Sequence, residues 1–177
     1  KRKTIVKERN SKLIVYFPTE KVTYLDFLIQ GPFKTTPNRE NIPLNDLQNQ
    51  VLISETANLV ADSISKMKAL GFSNVSFLEV LPIDPNYTSE TIYSTIFNKV
   101  KEKLLSDEPF LPSLGRTFTS HKNCLLARGK ELTEILDSDD LGILFNKNSW
   151  LDSGITVDKT RALHDYLTDI LEIKEVD

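Results

Sequence analysis

Apolar residues recur most regularly between positions 47 and 71. Ile53, Ala57, Val60, Ile64 and Met67 follow one another at spacings of 4, 3, 4 and 3, which puts them on one face of a helix. Leu52, Leu59 and Leu70 widen the stripe, so the spacing predicts a long, well-buried helix. Asn45 is its expected N-cap, with Gln48 three residues on as the capping-box partner. Gly71 is the expected stop. About 24 residues at ~1.5 Å rise make a rod of roughly 36 Å.

Shorter runs flank this rod. Residues 4–6 and 13–17 are rich in β-branched and aromatic side chains, and Asn10-Ser11 between them is a turn signal, so a hairpin is predicted there. Pro18 should end its second strand. Residues 24–29 are another strand candidate, broken by Gly31-Pro32. Residues 75–83 (VSFLEVLPI) read as a short buried strand. A strand, a long helix and a strand in succession suggest a βαβ-type unit. Ile92, Ile96, Val100 and Leu104 repeat every four residues and predict a second helix, capped by Thr88 or Ser89 and closed by Pro109 and Pro112.

The pattern weakens after Leu114-Gly115, itself a turn signal. Residues 130–136 predict a short helix, 137–140 an acidic break, and 141–145 either strand or helix. Trp150-Leu151 is expected to plug a core. A last helix begins near Asp158 with Leu163, Leu167 and Ile170 on one face, and the alternation at 172–176 suggests a terminal strand. The expected class is therefore α+β (mixed α/β). Residues 1–108 form a βαβ-type front half around the long helix, and residues 109–177 a smaller, more helical extension packed on it.

Composition narrows the function classes. The 177 residues are 40% hydrophobic with a net charge of −3, so there is material for a core and no basic surplus to advertise nucleic acid. Lys1, Arg2, Lys3, Lys7 and Arg9 make one basic end. Cys124 is the one cysteine, which rules out an internal disulfide and fits a reducing, cytoplasmic setting. There is no apolar run of membrane-spanning length, and the basic start has no apolar stretch behind it to make a signal peptide. A start at Lys1 without methionine is expected of a piece cut from a longer protein.

Candidate chemistry is sparse. His121-x-x-Cys124 has ligand-like spacing, but a structural zinc site needs about four such groups. Leu125 and Leu126 beside Cys124 predict a buried, inert thiol. No glycine-rich phosphate loop and no G-x-S-x-G elbow is present. Asp137, Asp139 and Asp140, like Asp107 and Glu108, read as solvated loop charge. That leaves Arg39, in a Thr- and Asn-rich loop entering the longest helix. A guanidinium there suits phosphate oxygens. Pairing with Glu40 or with a loop carbonyl is the plainer alternative.

The stretch from Phe27 to Val60 resembles the middle domain of the ninety-kilodalton heat-shock chaperones and of sacsin-like proteins. An apolar strand (Phe27-Leu28-Ile29), Gly31-Pro32-Phe33, the step Asn38-Arg39-Glu40 and the helix-opening Leu47-Gln48 carry the likeness. Phe110-Leu111-Pro112 and Trp150-Leu151 add to it on the sacsin-like side. Residues 41–46 form an insertion relative to the chaperones. The resemblance implies a mixed αβ transducer domain fused to an upstream Bergerat-type domain that binds ATP and Mg. It implies that Arg39 reaches the γ-phosphate, with Asn38 and Gln48 as loop and helix-start contacts. It also implies ATP hydrolysis coupled to conformational change, with the ATP-binding domain and client proteins as partners, and no catalysis by this stretch alone. The competing expectation is a non-catalytic interaction or scaffold domain.

Overall fold

The computed structural model describes residues 5–9 and 11–177. The chain folds as α+β, in the order β1 (Lys12–Val15), β2 (Phe17–Val22), α1 (Leu47–Ala69), α2 (Val75–Leu78), α3 (Thr91–Leu104), β3 (Leu111–Ser113), β4 (Thr117–Thr119), β5 (Cys124–Ala127), α4 (Lys130–Ile135), α5 (Ser138–Phe145), β6 (Ser149–Trp150), α6 (Val157–Asp165) and β7 (Glu175–Val176). A π-helical turn, Tyr166–Ile170, follows α6 directly.

The long helix forms where its periodicity places it. Ile53, Ala57, Ala61 and Ile64 are buried, and Val60 and Met67 pack against the same core from its margin. Leu59 and Leu70 are exposed and do not widen the stripe. The cap is Asp46 rather than Asn45: its carboxylate accepts from Gln48 N and Asn49 N. Gly71 takes a φ of +75° just past the helix end, the left-handed backbone that glycine adopts without steric cost. On α3, Ile92, Ile96, Val100 and Leu104 are all buried against α1. Its N-cap is Glu90, which makes no side-chain cap bond; neither Thr88 nor Ser89 serves.

The N-terminal hairpin is shifted along the chain. Strands β1 and β2 pair antiparallel around Tyr16, with Ile14 opposite Pro18. Pro18 thus lies inside the second strand instead of ending it; it is exposed, and a two-stranded ribbon tolerates a missing donor. Thr4 and Asn10, on which the expected hairpin depended, lie outside the described residues, and Ile5 and Val6 are not in a strand. Residues 24–29 form no strand either. Buried Ser11 lies against this segment: its one hydroxyl hydrogen is shared between Leu25 O, at 2.9 Å, and Phe27 O, at 2.8 Å, a side-chain contact that competes with a ladder for these carbonyls. The segment then meets β1 through a parallel bridge between Ile14 and Gln30.

Residues 75–83 are not the expected strand. Asn74 is extended, its Oδ1 accepts from Phe77 N at 3.1 Å, and α2 starts there. Phe77, Leu78, Val80, Leu81 and Ile83 are nevertheless all buried. A short continuous apolar run does not distinguish strand from buried helix, and here the cap decides. Without that strand, α1 is not the crossover of a βαβ unit.

Parallel pairing occurs instead in the back half, where β5 is the centre of a sheet ordered β6-β5-β7. Helices α4 and α5 connect β5 to β6, and α6 with its π turn connects β6 to β7. Residues 109–177 thus combine helices α4, α5 and α6 with a small parallel sheet of short strands. The terminal strand predicted at 172–176 is β7. Residues 137–140, expected as an acidic break, make the start of α5: Asp137 accepts from Asp139 N and Asp140 N, and Asp140 accepts from Asp137 N. Trp150 is buried beside Leu125 and Leu141 and donates to Leu136 O at 3.0 Å. One apolar cluster includes Leu13, Ile64, Val100, Leu126 and Ile173, so the front and back stretches share a core.

Candidate functional site

The loop before α1 is built from its two ends inward. Phe33 and Ile42 are buried and anchor it to the core. Between them, Asn49 on the first turn of α1 is fully buried. Its Oδ1 accepts from Lys34 N at 2.8 Å, and its Nδ2 donates to Lys34 O and to Pro43 O, both at 3.0 Å. One amide thus clamps both ends of the loop onto the helix. Lys34 Nζ also pairs with Asp46 at 2.8 Å. That ammonium, with the N–H groups of Asn49 and Gln48, holds the Asp46 carboxyl below its ordinary value.

The tip is a closed turn. Arg39 N donates to Thr36 O at 2.8 Å, with Pro37 at the second position, where its fixed φ suits a turn. Thr36 Oγ1 donates to Asn38 Oδ1 at 2.7 Å and accepts from Asn41 N at 3.2 Å. Asn38 Nδ2 donates to Glu40 Oε2 at 2.6 Å. Glu40 is thereby engaged with Asn38.

Arg39 has a φ of +58°, an uncommon conformation for a side chain of this size. It is half-buried. Its Nη2 donates to Val15 O at 2.7 Å and to Phe17 O at 3.0 Å, the two carbonyls flanking the hairpin turn at Tyr16. Its own carbonyl accepts from Glu20 N at 3.2 Å. Tyr16 is also left-handed, with a φ of +58°. The loop carbonyls anticipated as the plainer partners of Arg39 are in fact hairpin carbonyls.

Arg39 and Asn38 share one turn on the surface. Gln48 stands apart on the exposed side of the first turn of α1, joined to the loop by its N–H bond to Asp46 Oδ1 at 2.9 Å. A cleft of 690 Å³ lies beside Arg116 and Asp152, and one of 440 Å³ beside Asp84 and Tyr166. Neither is lined by Asn38, Arg39 or Gln48.

The other candidates resolve into structural roles. Cys124 is buried, and its Sγ donates to His121 O at 3.5 Å; burial pushes the thiol up to about 12. Among the described residues no three His, Cys, Asp or Glu side chains are grouped to hold a metal. Asp107 pairs with Lys122 at 2.7 Å and Glu108 with Lys103 at 3.0 Å. His164 is buried between Asp165, at 3.2 Å, and Glu175, at 3.1 Å, and so ties α6 to β7.

Sequence reasoning missed Asn49, which organises the site. Its signal was present, since residue 49 heads the buried row continued by Ile53, Ala57 and Ala61, and a polar residue at the head of an apolar row needs partners. Comparison with protein-family models, with curated proteins and with solved structures gives no match.

Proposed function

We propose that this chain is the middle, transducing module of a chaperone-like ATPase, and that Arg39 is the residue it supplies to the γ-phosphate of ATP held by an upstream domain. The observation that carries this reading is the construction of the Arg39 loop. A buried amide clamps its ends, a closed turn fixes its tip, and the arginine at that tip sits in a strained left-handed conformation. Strained, over-determined residues cluster at functional sites. The guanidinium rests half-buried against the hairpin and outside both clefts, within side-chain reach of a phosphate that another domain would bind.

The chemistry follows from charge. As the bond to the γ-phosphoryl group breaks, negative charge spreads over its equatorial oxygens, and a planar, permanently charged guanidinium stabilises it. A phosphate offers Nη2 an acceptor that is itself charged, a stronger partner than the neutral carbonyls of Val15 and Phe17. Asn38, beside it, supplies an amide on the same turn, and Gln48 a further donor at the helix start. ATP and Mg belong to the upstream domain in this scheme. Among the described residues no helix is long and apolar enough to cross a membrane, and a cytoplasmic site of action is part of the proposal.

The test is steady-state ATP hydrolysis by the polypeptide that carries both domains. Arg39→Ala should lower kcat by about a hundredfold or more, with KM for ATP changed by no more than about threefold. Wild-type turnover in the variant contradicts the assignment. A second reading, a non-catalytic interaction module, draws on Tyr16 and Phe17, which are 79% and 71% exposed at the hairpin tip. Aromatic side chains at such exposure suit a protein contact.

A further inference from the structure

The 440 Å³ cleft is lined on one side by Ile83, Asp84 and Pro85, which precede α3, and on the other by α6 and its π turn. Its volume is that of a small-molecule site. Asp84, Asp165 and Asp169 line it, against one guanidinium, that of Arg161. Arg161 Nε stands 3.9 Å from Asp165, on a side chain that is 77% exposed, so negative charge is left in surplus. The Oδ1 atoms of Asp84 and Asp169 accept from Asn86 and Thr168, while their Oδ2 atoms have no partner among the described residues. Pro85, Ala162 and Ile170 give the same cleft apolar walls.

Tyr166 adds an observation of a different kind. It lines this cleft and is 1% exposed, and its hydroxyl has no hydrogen-bond partner among the described residues. Buried hydroxyls are almost always paired, and one that is not asks for a cause. The ring meets Phe97 edge-on at 5.7 Å, a contact that phenylalanine would make as well. Packing thus calls for the ring and not for the oxygen. Tyr166 also opens the π turn that carries Asp169 and Ile170, and such turns are rare and recur at functional sites.

We propose that this cleft binds an aliphatic polyamine: one ammonium donates to the Tyr166 hydroxyl oxygen, the others pair with the Asp84 and Asp169 carboxylates, and the methylene stem lies along Pro85, Ala162 and Ile170. A metal ion suits the cleft less well. Among the described residues no three His, Cys, Asp or Glu side chains are grouped to hold one, so the carboxylates line the cleft without converging on a point. Separated negative charges match a ligand whose positive charges are separated too, and ammonium–carboxylate bonds are of the strong, charge-assisted kind. Burial pushes the Tyr166 phenol up, so it stays neutral and offers a lone pair. Arg39 does not line this cleft, and the site stands apart from the phosphate reading.

The experiment is calorimetric titration of the protein with spermidine at fixed ionic strength, with n-butylamine and Mg²⁺ as competing probes and thermal midpoints read in parallel. Tyr166→Phe, Asp84→Asn and Asp169→Asn are compared with wild type. Each keeps the shape of its side chain, and Tyr166→Phe removes only an oxygen without a partner, so its midpoint without ligand should not fall. The site predicts one spermidine per chain and a midpoint that rises with spermidine concentration. It predicts n-butylamine at least about tenfold weaker, affinity down about tenfold in each Asp variant, and down about threefold or more in Tyr166→Phe. No binding at millimolar spermidine overturns the proposal. So does displacement of spermidine by an equal concentration of Mg²⁺, which makes the cleft a divalent-cation site. Binding left unchanged by Tyr166→Phe or by either Asp variant overturns it as well, and reduces the attraction to surface charge alone.

Discussion

Asn49 closes on both backbone groups of Lys34: its Oδ1 accepts from Lys34 N at 2.8 Å and its Nδ2 donates to Lys34 O at 3.0 Å. A helix residue thereby pairs with a loop residue as a strand would. The remaining Nδ2 hydrogen goes to Pro43 O at 3.0 Å, so the fully buried amide has a partner for both donors and for its oxygen.

Removing that clamp should be expensive. Asn49→Ala leaves Lys34 N–H and Lys34 C=O without the partner they have here and Pro43 C=O with Asp46 N alone, at 3.3 Å, and stranding buried polar groups costs about 1–3 kcal/mol each when water does not reach them. The expected loss is roughly 2–4 kcal/mol, measured by urea unfolding. A loss within about 0.5 kcal/mol, the scale of a neutral surface change, contradicts the clamp.

Asp46 carries a pH signature. Its folded carboxyl lies below the ordinary value of 3.8, first through the Lys34 side-chain bond and further through the N–H groups of Asn49 and Gln48. A depressed folded value contributes stability that is complete above the unfolded value and is lost as pH falls through the folded one. Thermal unfolding of wild type and Asp46→Asn should therefore differ at neutral pH, and the difference should fade below about pH 4. Asn45→Ala, next door, should leave the thermal midpoint unchanged, because Asn45 is not the cap.

Cys124 should be silent in the folded protein. Its thiol is buried and pushed up to about 12, so no useful thiolate forms at pH 8 and access is blocked. Iodoacetamide should leave the native chain unmodified by mass spectrometry and label it once in denaturant. Rapid native labelling would place Cys124 at the surface.

Asn74 decides helix against strand in residues 75–83. Its side chain accepts from Phe77 N at 3.1 Å and from Ser76 Oγ at 2.6 Å. Asn74→Ala should cost about 1 kcal/mol in chemical denaturation, whereas a strand at this place would be indifferent to the change.

What could be read from the sequence divides along physical lines. Elements fixed by their own periodicity were legible: α1 through Ile53, Ala57 and Ile64, α3 through its four-residue repeat, and the stop at Gly71. Elements fixed by a single side chain were not. Asn74 caps an apolar run as helix, and the Ser11 hydroxyl competes for the Leu25 and Phe27 carbonyls in the 24–29 segment. The parallel sheet of the back half rests on very short strands, β6 and β7 being two residues each, too short for any alternation to show. At the candidate site, Asn38, Arg39 and Gln48 were identifiable as residues, but their relations were not. The bonds from Arg39 to Val15 and Phe17 span 24 and 22 positions, and no local pattern encodes a contact of that length.

The most direct measurement is single-turnover hydrolysis of pre-bound ATP by the polypeptide carrying both domains, with Arg39→Ala and Arg39→Lys beside wild type. The account predicts that ATP still binds, that the chemical step slows by about a hundredfold in Arg39→Ala, and that lysine restores only part of it, because a point charge does not reproduce a planar fork. Equal single-turnover rates in all three would contradict it, and would leave Arg39 as the staple of the Tyr16 turn and nothing more.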